Sequence, residues 1–326
     1  MLGMGGRGAD VIFGNASNTF WESHLPRPPT PLGKRSAMIP KWPLTCAAMD
    51  GLLRHIAACR NARLPGARRA FRLGGVAVGW VAPALAARLL GIASFRAHDS
   101  GIDLAEPARL AEIAAALAAE GLFTWRGEAF DVRAVPEGEV LARVDRGALP
   151  VFGLRAEGVH VNGLVRRGGG VFLWVARRAM DRPLDPGKLD HLVAGGIPAG
   201  FTPWRTLIKE AAEEAAIPAA LAARARRVAV LDYAMERPEG LRRDRLHGFD
   251  LDLPEDFVPR AADGEAAGFE LWPLAAVLDA VVAGDDFKFN VNLVLIDLFL
   301  RRNLIDPLSP DGRRLRAALA GADAAG

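Results

Sequence analysis

Cysteine is scarce in this 326-residue chain, in which only Cys46 and Cys59 occur. Two thiols in a chain of this length do not make a disulfide framework, and their spacing matches no zinc motif. Both are expected to stay reduced and to pack as small apolar residues. The scarcity therefore predicts a cytoplasmic location and a fold that does not depend on disulfide bonds.

Long hydrophobic runs are also missing. The most apolar stretch, Leu73 to Ala87, is interrupted by three glycines and by Pro83, whereas a membrane-spanning helix needs about 20 consecutive apolar residues. Glycines and polar residues follow Met1 in place of the apolar segment of a signal peptide. The sequence thus predicts no association with a membrane.

An excess of one charge is lacking as well. Lys and Arg total 41 against 38 for Asp and Glu, which gives a net charge of +3. A nucleic-acid-binding surface usually shows a concentrated basic stripe, so this balance predicts no nucleic-acid partner. A mildly basic protein can still attract phosphorylated metabolites. P-loop, dinucleotide-binding and Ser-His-Asp patterns are not found.

Composition divides the chain into four regions. Residues 1–44 begin rich in glycine and asparagine and continue rich in proline, which predicts a disordered N-terminal extension; the true start, Met1 or Met38, is left open. Residues 45–150 are predicted to form an α+β accessory domain and residues 151–305 a second domain. Residues 306–326, rich in alanine, are predicted to form a flexible tail.

The predicted elements indicate an α+β fold with a mixed sheet covered by helices. In the first domain the patterns predict a helix near Leu52, a strand at Val76–Trp80, a helix after Pro107, and two strands around Gly127 within 123–141. In the second domain a hairpin is predicted from Gly158–Val165 and Val171–Ala176 around a glycine turn. Further strands are predicted near 189–193, 228–233, 246–253 and 269–272, and helices near 203–216, 274–282 and 291–301.

The informative segment is a glycine-rich turn that includes Gly195 and Gly196 and leads into a helix. Thr202 can cap this helix and Pro203 suits its first position. Glu210, Glu213 and Glu214 follow at helical spacings of i, i+3 and i+4, on the side away from an apolar face. Three clustered carboxylates supply the oxygen ligands that Mg²⁺ requires, and the glycines let the backbone approach a ligand closely. A solvated helix face with a few glutamates is the alternative interpretation.

This segment resembles the Nudix box. Counting from Gly195, the acids Glu210, Glu213 and Glu214 match the three downstream metal-binding positions of the box, and Ile217 matches its final apolar position. Three departures occur. Phe201 stands where the first glutamate belongs, Lys209 replaces an arginine, and Ala216 replaces the closing glycine.

The resemblance extends to about residues 45–305. The strings Phe152–Gly163, Leu184–Gly196 and Asp285–Asn292 are similar to Nudix hydrolases related to fungal and plant thiamine-diphosphate-processing proteins. In that group a domain of uncharacterised function precedes the Nudix domain. The resemblance implies a Nudix α/β/α sandwich that uses Mg²⁺ or Mn²⁺ to hydrolyse thiamine diphosphate or its oxidised derivatives and releases a monophosphate.

Further site residues are expected around the box. The resemblance implies one more acid from a later loop, and Glu265 is the candidate. Arg155, Asn162, Trp174 and Arg177 lie on predicted strands or strand starts from which they could contact the substrate, and Trp174 could stack on a thiazolium or pyrimidine ring. The histidines at 160 and 191 are interpreted as hydrogen-bonded structural residues.

Several alternatives stay open on the sequence alone. The substrate could be another nucleoside diphosphate, such as ADP-ribose or a nucleotide sugar, because variable loops contact the base and sugar. A non-catalytic regulator that keeps the Nudix fold is the third hypothesis, supported by Phe201 and Ala216. The general base, which could be Glu213 or an acid of a loop, and a homodimeric assembly are not decided.

Overall fold

The computed structural model describes residues 45–321. The predicted disordered extension over residues 1–44, with both candidate start sites, and residues 322–326 lie outside the described residues. Within the part that the structure describes, no helix is both long and apolar enough to cross a membrane.

The first half of the described chain alternates short strands and helices. It comprises α1 (Cys46–Cys59), β1 (Arg69–Leu73), β2 (Val76–Val81), α2 (Pro83–Leu89), β3 (Phe95–His98), β4 (Gly101–Leu104), a 3-10 turn (Pro107–Arg109), α3 (Leu110–Ala119), β5 (Ala129–Val132), β6 (Ala142–Asp145), a second 3-10 turn (Arg146–Ala148) and α4 (Leu149–Phe152). The predicted helix after Pro107 and the strand at Val76–Trp80 are confirmed.

Residues 69–154 build a small α+β unit with a core of its own. Four strands form a sheet in the order β2-β1-β4-β3, and β5 and β6 pair separately as an antiparallel ribbon. Phe71, Leu104, Leu110 and Phe152 are among its fully buried side chains. The prediction of two strands around Gly127 was wrong in placement, because both β5 and β6 follow that glycine.

The second half carries the large sheet. It comprises β7 (Arg155–Arg167), β8 (Gly170–Arg178), β9 (Leu189–His191), β10 (Val193–Gly196), α5 (Pro203–Ala215), α6 (Ala219–Ala222), β11 (Arg226–Arg237), β12 (Gly240–Leu253), β13 (Ala266–Pro273), α7 (Leu274–Ala283), α8 (Val291–Arg301) and α9 (Pro310–Ala320). The hairpin of β7 and β8 and the strands and helices predicted after it are confirmed.

Seven strands make a mixed sheet, as the sequence predicts. The central order is β11-β12-β7-β8-β13, and β7 runs parallel to β12 but antiparallel to β8. The first part of β7 also pairs with β10, from Gly158 to Val161. This pairing places the glycine-rich turn after β10 at the edge of the sheet, next to the start of α5.

Helices cover both faces of the sheet, which gives the expected α/β/α sandwich. On one face α5 packs on Val159, Val161 and Val193. On the other face α7, α8 and α9 enclose a core with Leu164, Tyr233 and Leu246. One face of the sheet therefore positions the acidic helix α5, and the other face carries most of the buried apolar side chains.

Helix α1 belongs to the core of the second half rather than to the unit that follows it along the chain. Its residues Met49, Leu52 and Ile56 are buried against α7 and α8. The Nε2 atom of His55 donates to the Val281 carbonyl over 2.8 Å, and its Nδ1 accepts from Asn292 over 3.1 Å. Packing therefore crosses the expected domain boundary near Pro150.

The C-terminal segment corrects another expectation. Residues 310–320 of the predicted flexible tail form helix α9, whose first turn is capped by the Ser309 hydroxyl. Leu315 and Leu319 are buried in the same core as α7 and α8. Alanine-rich composition indicated fraying, but two leucines one helical turn apart are enough to anchor the helix.

Candidate active site

Helix α5 carries the acidic residues, and its two ends are fixed locally. The Thr202 hydroxyl accepts from the Arg205 backbone N–H over 3.2 Å, and Pro203 occupies the first turn. Leu207, Ala211 and Ala215 are fully or almost fully buried against the sheet. The start of the helix and its apolar face are as the sequence predicts.

The C-terminal end of α5 explains why a glycine suits position 216. Ala216 has φ 53° and ψ 35°, the left-handed conformation that glycine adopts without steric cost. The Ile217 N–H then bonds the Ala211 carbonyl over 2.9 Å, and the Ile217 side chain is fully buried. An alanine at this position keeps the turn but leaves it strained.

Glu214 is the most enclosed of the three glutamates, with 8% of its surface exposed. Its Oε2 accepts from the Ala194 backbone N–H of β10 over 2.9 Å. Burial raises the pKa of Glu214 to about 8, and the nearby charges of Glu210, Asp190 and Glu265 act in the same direction. A carboxylate in such a place gains most from a cation that restores its charged form.

Glu210 lies directly beneath the glycine turn. A Cβ atom on Gly195 would approach within 2.7 Å of the Glu210 Cγ and Cδ atoms, so only glycine leaves room for this side chain. Burial raises the pKa of Glu210, opposed by Lys209 and assisted by Glu213 and Glu265. The predicted role of Gly195 in allowing close approach is therefore visible in the packing.

Lys209 connects two of the acids on the outer side of the helix. Its Nζ lies 3.1 Å from Glu210 Oε1 and also donates to Glu213 Oε2. Burial alone would lower the pKa of Lys209, but these hydrogen bonds raise it to about 12. Glu213 is half exposed and faces this lysine, whereas Glu210 and Glu214 face the sheet.

Glu265 comes from the segment before β13 and meets the acids of α5. Together with Glu214 it lines a solvent-open cavity with about 310 Å³ of empty space; the lining residues are Ala176, Arg178, Asp190, His191, Leu192, Ala194, Glu214, Glu265 and Ala266. Its Oε2 is 2.8 Å from the Arg182 guanidinium. The charge of Glu265 also helps to raise the pKa values of both Glu210 and Glu214.

These acids fit a hard divalent cation by their chemistry. Carboxylate oxygens are the ligands that Mg²⁺ and Mn²⁺ favour, and burial raises the pKa values of Glu210 and Glu214, which makes the charged form of each carboxylate costly without a cation. The cavity beside Glu214 leaves space for water and for phosphate oxygens. The site therefore suits an ion that keeps part of its coordination for a substrate.

A second polar cluster lies deeper in the same cavity. Among the described residues, His160, Asp190 and His191 form the group whose ligand-type atoms all lie within 4.8 Å of one another. The two Nδ1 atoms are 2.9 Å apart, and Asp190 Oδ2 lies 2.9 Å from Arg178 and 3.4 Å from Lys288, whereas the buried His191 Nε2 has no hydrogen-bond partner among the described residues. Two cations beside Asp190 oppose a metal ion, so this cluster is structural.

This cluster and its neighbours include two histidines that the sequence analysis interpreted and three charged residues that it did not assign. His160 and His191 are hydrogen-bonded to each other, as the sequence interpretation proposed. Burial lowers the pKa of His191 to about 4 and that of His160 well below its usual range, which keeps both rings neutral. Asp190, Arg178 and Lys288 were not assigned from the sequence, although Asp190 and Lys288 fall within strings that carried the family resemblance.

The other expected substrate contacts lie away from this cavity. Its lining, within the described part of the chain, does not include Arg155, Asn162, Trp174 or Arg177. Asn162 is fully buried and donates to Asp250 Oδ1 over 2.9 Å, and Trp174 is packed in the core under α5. Burial leaves both side chains without surface for a substrate.

The two arginines have structural neighbours too. Arg177 donates to the Gly187 carbonyl over 3.0 Å, and Arg155 pairs across the sheet with Arg243 at the far end of β7. Gly196 faces the accessory unit instead of the acids, because a Cβ there would lie 2.7 Å from the Phe130 ring. Of the predicted set, the structure places Glu210 against Gly195, and Glu214 lines one cavity with Glu265. Among the described residues, these three acids do not form a group whose ligand atoms all lie within 4.8 Å of one another.

Comparison with protein families places these residues in a known context. Residues 156–292 match the model described as NUDIX domain, and residues 51–156 match a domain of unknown function, DUF4743. The second half of the chain is therefore similar to a Nudix domain over residues 156–292. The cavity, helix α5 and Glu265 all lie inside it, and the DUF4743 region precedes it as the sequence resemblance implied.

Curated relatives match more than half of this chain. The chain is 43% identical over 185 residues to Nudix hydrolase 24, chloroplastic, of Arabidopsis thaliana, a match that covers 57% of this chain and 51% of the relative. It is 41% identical over 184 residues to Nudix hydrolase 20, chloroplastic, of the same plant, with 56% and 49% covered. The chain thus spans about half the length of these relatives.

A yeast relative and solved structures extend the comparison. An uncharacterised protein of Saccharomyces cerevisiae, YJR142W, is 28% identical over 201 residues, which cover 57% of this chain and 58% of that protein. The crystal structure of DR0079 from Deinococcus radiodurans aligns with a TM-score of 0.40 at 22% identity, and the alignment covers 52% of this chain and 97% of that one.

Proposed function

We propose that this Nudix domain hydrolyses the diphosphate linkage of a small phosphorylated metabolite with the help of a divalent metal ion. The observation that carries the proposal is that Glu210 and Glu214 of helix α5 both lie against β10, at Gly195 and Ala194, and that Glu214 and Glu265 line one cavity. The names of the two plant relatives, which are both Nudix hydrolases, support it.

Each acid has a separate task in this proposal. Glu210, Glu214 and Glu265 would hold Mg²⁺ or Mn²⁺, with Glu213 assisting from the outer side of α5. A bound ion of this kind lowers the pKa of a water ligand and offsets charge that develops on phosphate oxygens. Glu213, which is half exposed and ion-paired with Lys209, would accept the proton of the attacking water.

The protein also offers positive charge for the diphosphate. Arg178 lines the cavity, and Lys288 lies 3.4 Å from Asp190, another residue of the lining. Burial lowers the pKa of Lys288, opposed by Asp190, so its charge depends on that partner. A diphosphate that enters between these cations and the acids of α5 would meet both the ion and its counter-charges.

Thiamine diphosphate and its oxidised derivatives are the substrates we propose. The support is the similarity of the strings Phe152–Gly163, Leu184–Gly196 and Asp285–Asn292 to hydrolases that process this cofactor. The cysteine content predicts a cytoplasmic location. The two plant relatives are both named chloroplastic, so the comparisons do not support that prediction.

A diphosphate panel tests the proposal. The full chain is incubated with Mg²⁺ and, in turn, thiamine diphosphate, its oxidised form, ADP-ribose and a nucleotide sugar, and the products are identified by mass. We expect a monophosphate from the thiamine compounds. Faster release from ADP-ribose or the sugar would instead favour a nucleoside diphosphate hydrolase, and no product from any compound would contradict hydrolysis.

Variants connect the activity to the acids. Glu210→Gln and Glu214→Gln are expected to lower kcat by about a hundredfold or more, because each removes a negative ligand without changing the shape of the side chain. Glu112→Gln is the matched control, since this glutamate is exposed on α3. An unchanged rate in both site variants would contradict the assignment of the ligands.

A further inference from the structure

The glycine turn between β10 and α5 lacks an internal acid. Phe201 stands in the turn, and its ring lies 4.2 Å from the Arg205 guanidinium carbon. The Phe201 N–H bonds the Pro198 carbonyl over 3.1 Å, which closes the turn but leaves the preceding N–H groups to find other acceptors. The acceptors for the Ala199 and Gly200 N–H groups come from outside the Nudix domain.

Strand β5 of the DUF4743 region supplies them. The Ala199 N–H donates to the Ala129 carbonyl over 2.8 Å, and the Gly200 N–H donates to Asp131 Oδ2 over 3.0 Å. Between these two contacts the Phe130 ring packs so closely on Gly196 that a Cβ there would lie 2.7 Å away. One short strand therefore touches the turn at three successive residues.

Asp131 is itself held in place. Its carboxylate accepts from Arg143 Nε and from Arg133 Nη2, each over 3.0 Å, and only a tenth of the side chain is exposed. Burial would raise the pKa of Asp131, but the bonds from Gly200 and the two arginines lower it, so the group is ionised at neutral pH. A charged acceptor that is fixed on one side makes a strong bond to a backbone N–H on the other.

We infer that the DUF4743 region positions the catalytic turn, with Asp131 as the positioning residue that holds Gly200. This inference rests on the proposed function, because the turn matters only if Glu210 beneath it binds the ion. Gly195 lies in β10, four residues before Ala199, and leaves room for Glu210, so a shift of the turn would also shift the backbone that packs against that carboxylate. The accessory region thereby contributes to the reaction without touching the substrate.

Hydrogen exchange measures the contact directly. In the full chain, Asp131→Ala should speed amide exchange in a peptide that contains Ala199 and Gly200 by about tenfold or more, since a charge-assisted bond is lost. Asp103→Ala is the matched control, because Asp103 Oδ1 accepts from the Gly75 N–H over 2.9 Å in the four-stranded sheet. Equal exchange of the turn in both variants would overturn the inference.

Kinetics then separate positioning from general destabilisation. On the substrate that the diphosphate panel identifies, Asp131→Ala should lower kcat by about tenfold with a smaller change in KM, and Asp131→Asn, which keeps one acceptor oxygen, should recover part of the loss. Asp103→Ala should leave both parameters unchanged. Unaltered kcat in Asp131→Ala, with faster exchange of the turn, would overturn the catalytic part of the inference.

The two hypotheses fail in different ways. If the unaltered protein hydrolyses none of the diphosphates, the proposed function fails, whereas the exchange measurement still decides whether Asp131 holds the turn. If hydrolysis occurs but exchange and kcat of Asp131→Ala equal those of the control, the positioning role fails alone.

Discussion

The backbone N–H of Ala194 donates to Glu214 Oε2 over 2.9 Å and joins the central sheet to the acidic helix. One neutral donor is little compensation for a buried carboxylate among Glu210, Asp190 and Glu265, and the pKa of Glu214 is accordingly raised to about 8. The charge of Glu214 therefore opposes folding unless a cation is bound beside it.

Replacing Glu214 by glutamine should stabilise the metal-free protein at high pH. The folded-state pKa, about 8, lies above the ordinary value of 4.5, so the stabilising effect of protonation is complete below pH 4.5 and is lost as the pH rises through 8. At pH 9 with a chelator, we expect Glu214→Gln to unfold with a free energy at least about 1 kcal/mol above that of the unaltered protein. Urea denaturation measures it, with Glu112→Gln as the control.

Divalent ions should reverse that order. A ligand that binds the native state at a concentration of 100 times its Kd adds about 2.7 kcal/mol to the free energy of unfolding. The unaltered protein should gain this increment from Mg²⁺ or Mn²⁺, and Glu214→Gln should gain much less. The same gain in both proteins would show that Glu214 is not a ligand.

Gly195→Ala should disturb the site while the fold persists. The added Cβ would lie 2.7 Å from the Glu210 Cγ and Cδ atoms. Because the Glu210 side chain is flexible, it can move away from the Cβ, so the fold persists while the carboxylate is displaced. We expect Mn²⁺ affinity and kcat to fall by about tenfold or more, measured by titration calorimetry and by product release. Gly268→Ala is the control, because its Cβ would meet nothing within 4 Å. Similar losses in the two variants would argue against crowding at Glu210.

Ala216→Gly should stabilise the protein. Ala216 has φ 53°, where an L side chain is strained and glycine is not, so we expect a gain of about 0.5–1 kcal/mol in the free energy of unfolding. Ala223→Gly is the opposite case, because Ala223 ends α6 with φ −63° and ψ −7°, and it should destabilise by about 0.5 kcal/mol. Thermal or urea unfolding compares them, and a loss in both would refute the strain at Ala216.

The buried histidine pair should make stability depend on pH. Burial lowers the pKa of His191 from 6.5 to about 4, so its contribution to folding is complete above pH 6.5 and is lost as the pH falls through 4. The stability advantage of the unaltered protein over His191→Gln should therefore shrink by about 2 kcal/mol between pH 7 and 4. His98→Gln, an exposed histidine in β3, should show no such trend. A constant difference would contradict the linkage.

Local signals predicted the acidic helix well. Thr202, Pro203 and the apolar spacing of Leu207 and Ala211 define α5 through contacts within a few residues, and the structure has the same start and almost the same end. The departure at Ala216 was also visible in the sequence, because the left-handed residue that ends a helix is usually glycine.

Long-range relationships were beyond the sequence alone. Glu265 reaches Glu214 because β13 pairs with β8 at the rim of the cavity, which no periodicity reveals. Asn162 and Trp174 lie on strands from which the sequence analysis expected them to contact the substrate. In the structure, both side chains are buried on faces of the sheet that other elements cover. Asp190 and Lys288 were not assigned from the sequence, because their pairing joins segments about a hundred positions apart.

Helix α1 has a consequence for how the chain acquires its shape during synthesis. Leu52 and Ile56 are synthesised early, yet the side chains that cover them belong to α7 and α8, which are synthesised much later. The core on that side of the sheet cannot close before translation of those helices is complete, so its assembly depends on contacts of long sequence separation, which form slowly. Until then the apolar side of α1 stays accessible to chaperones.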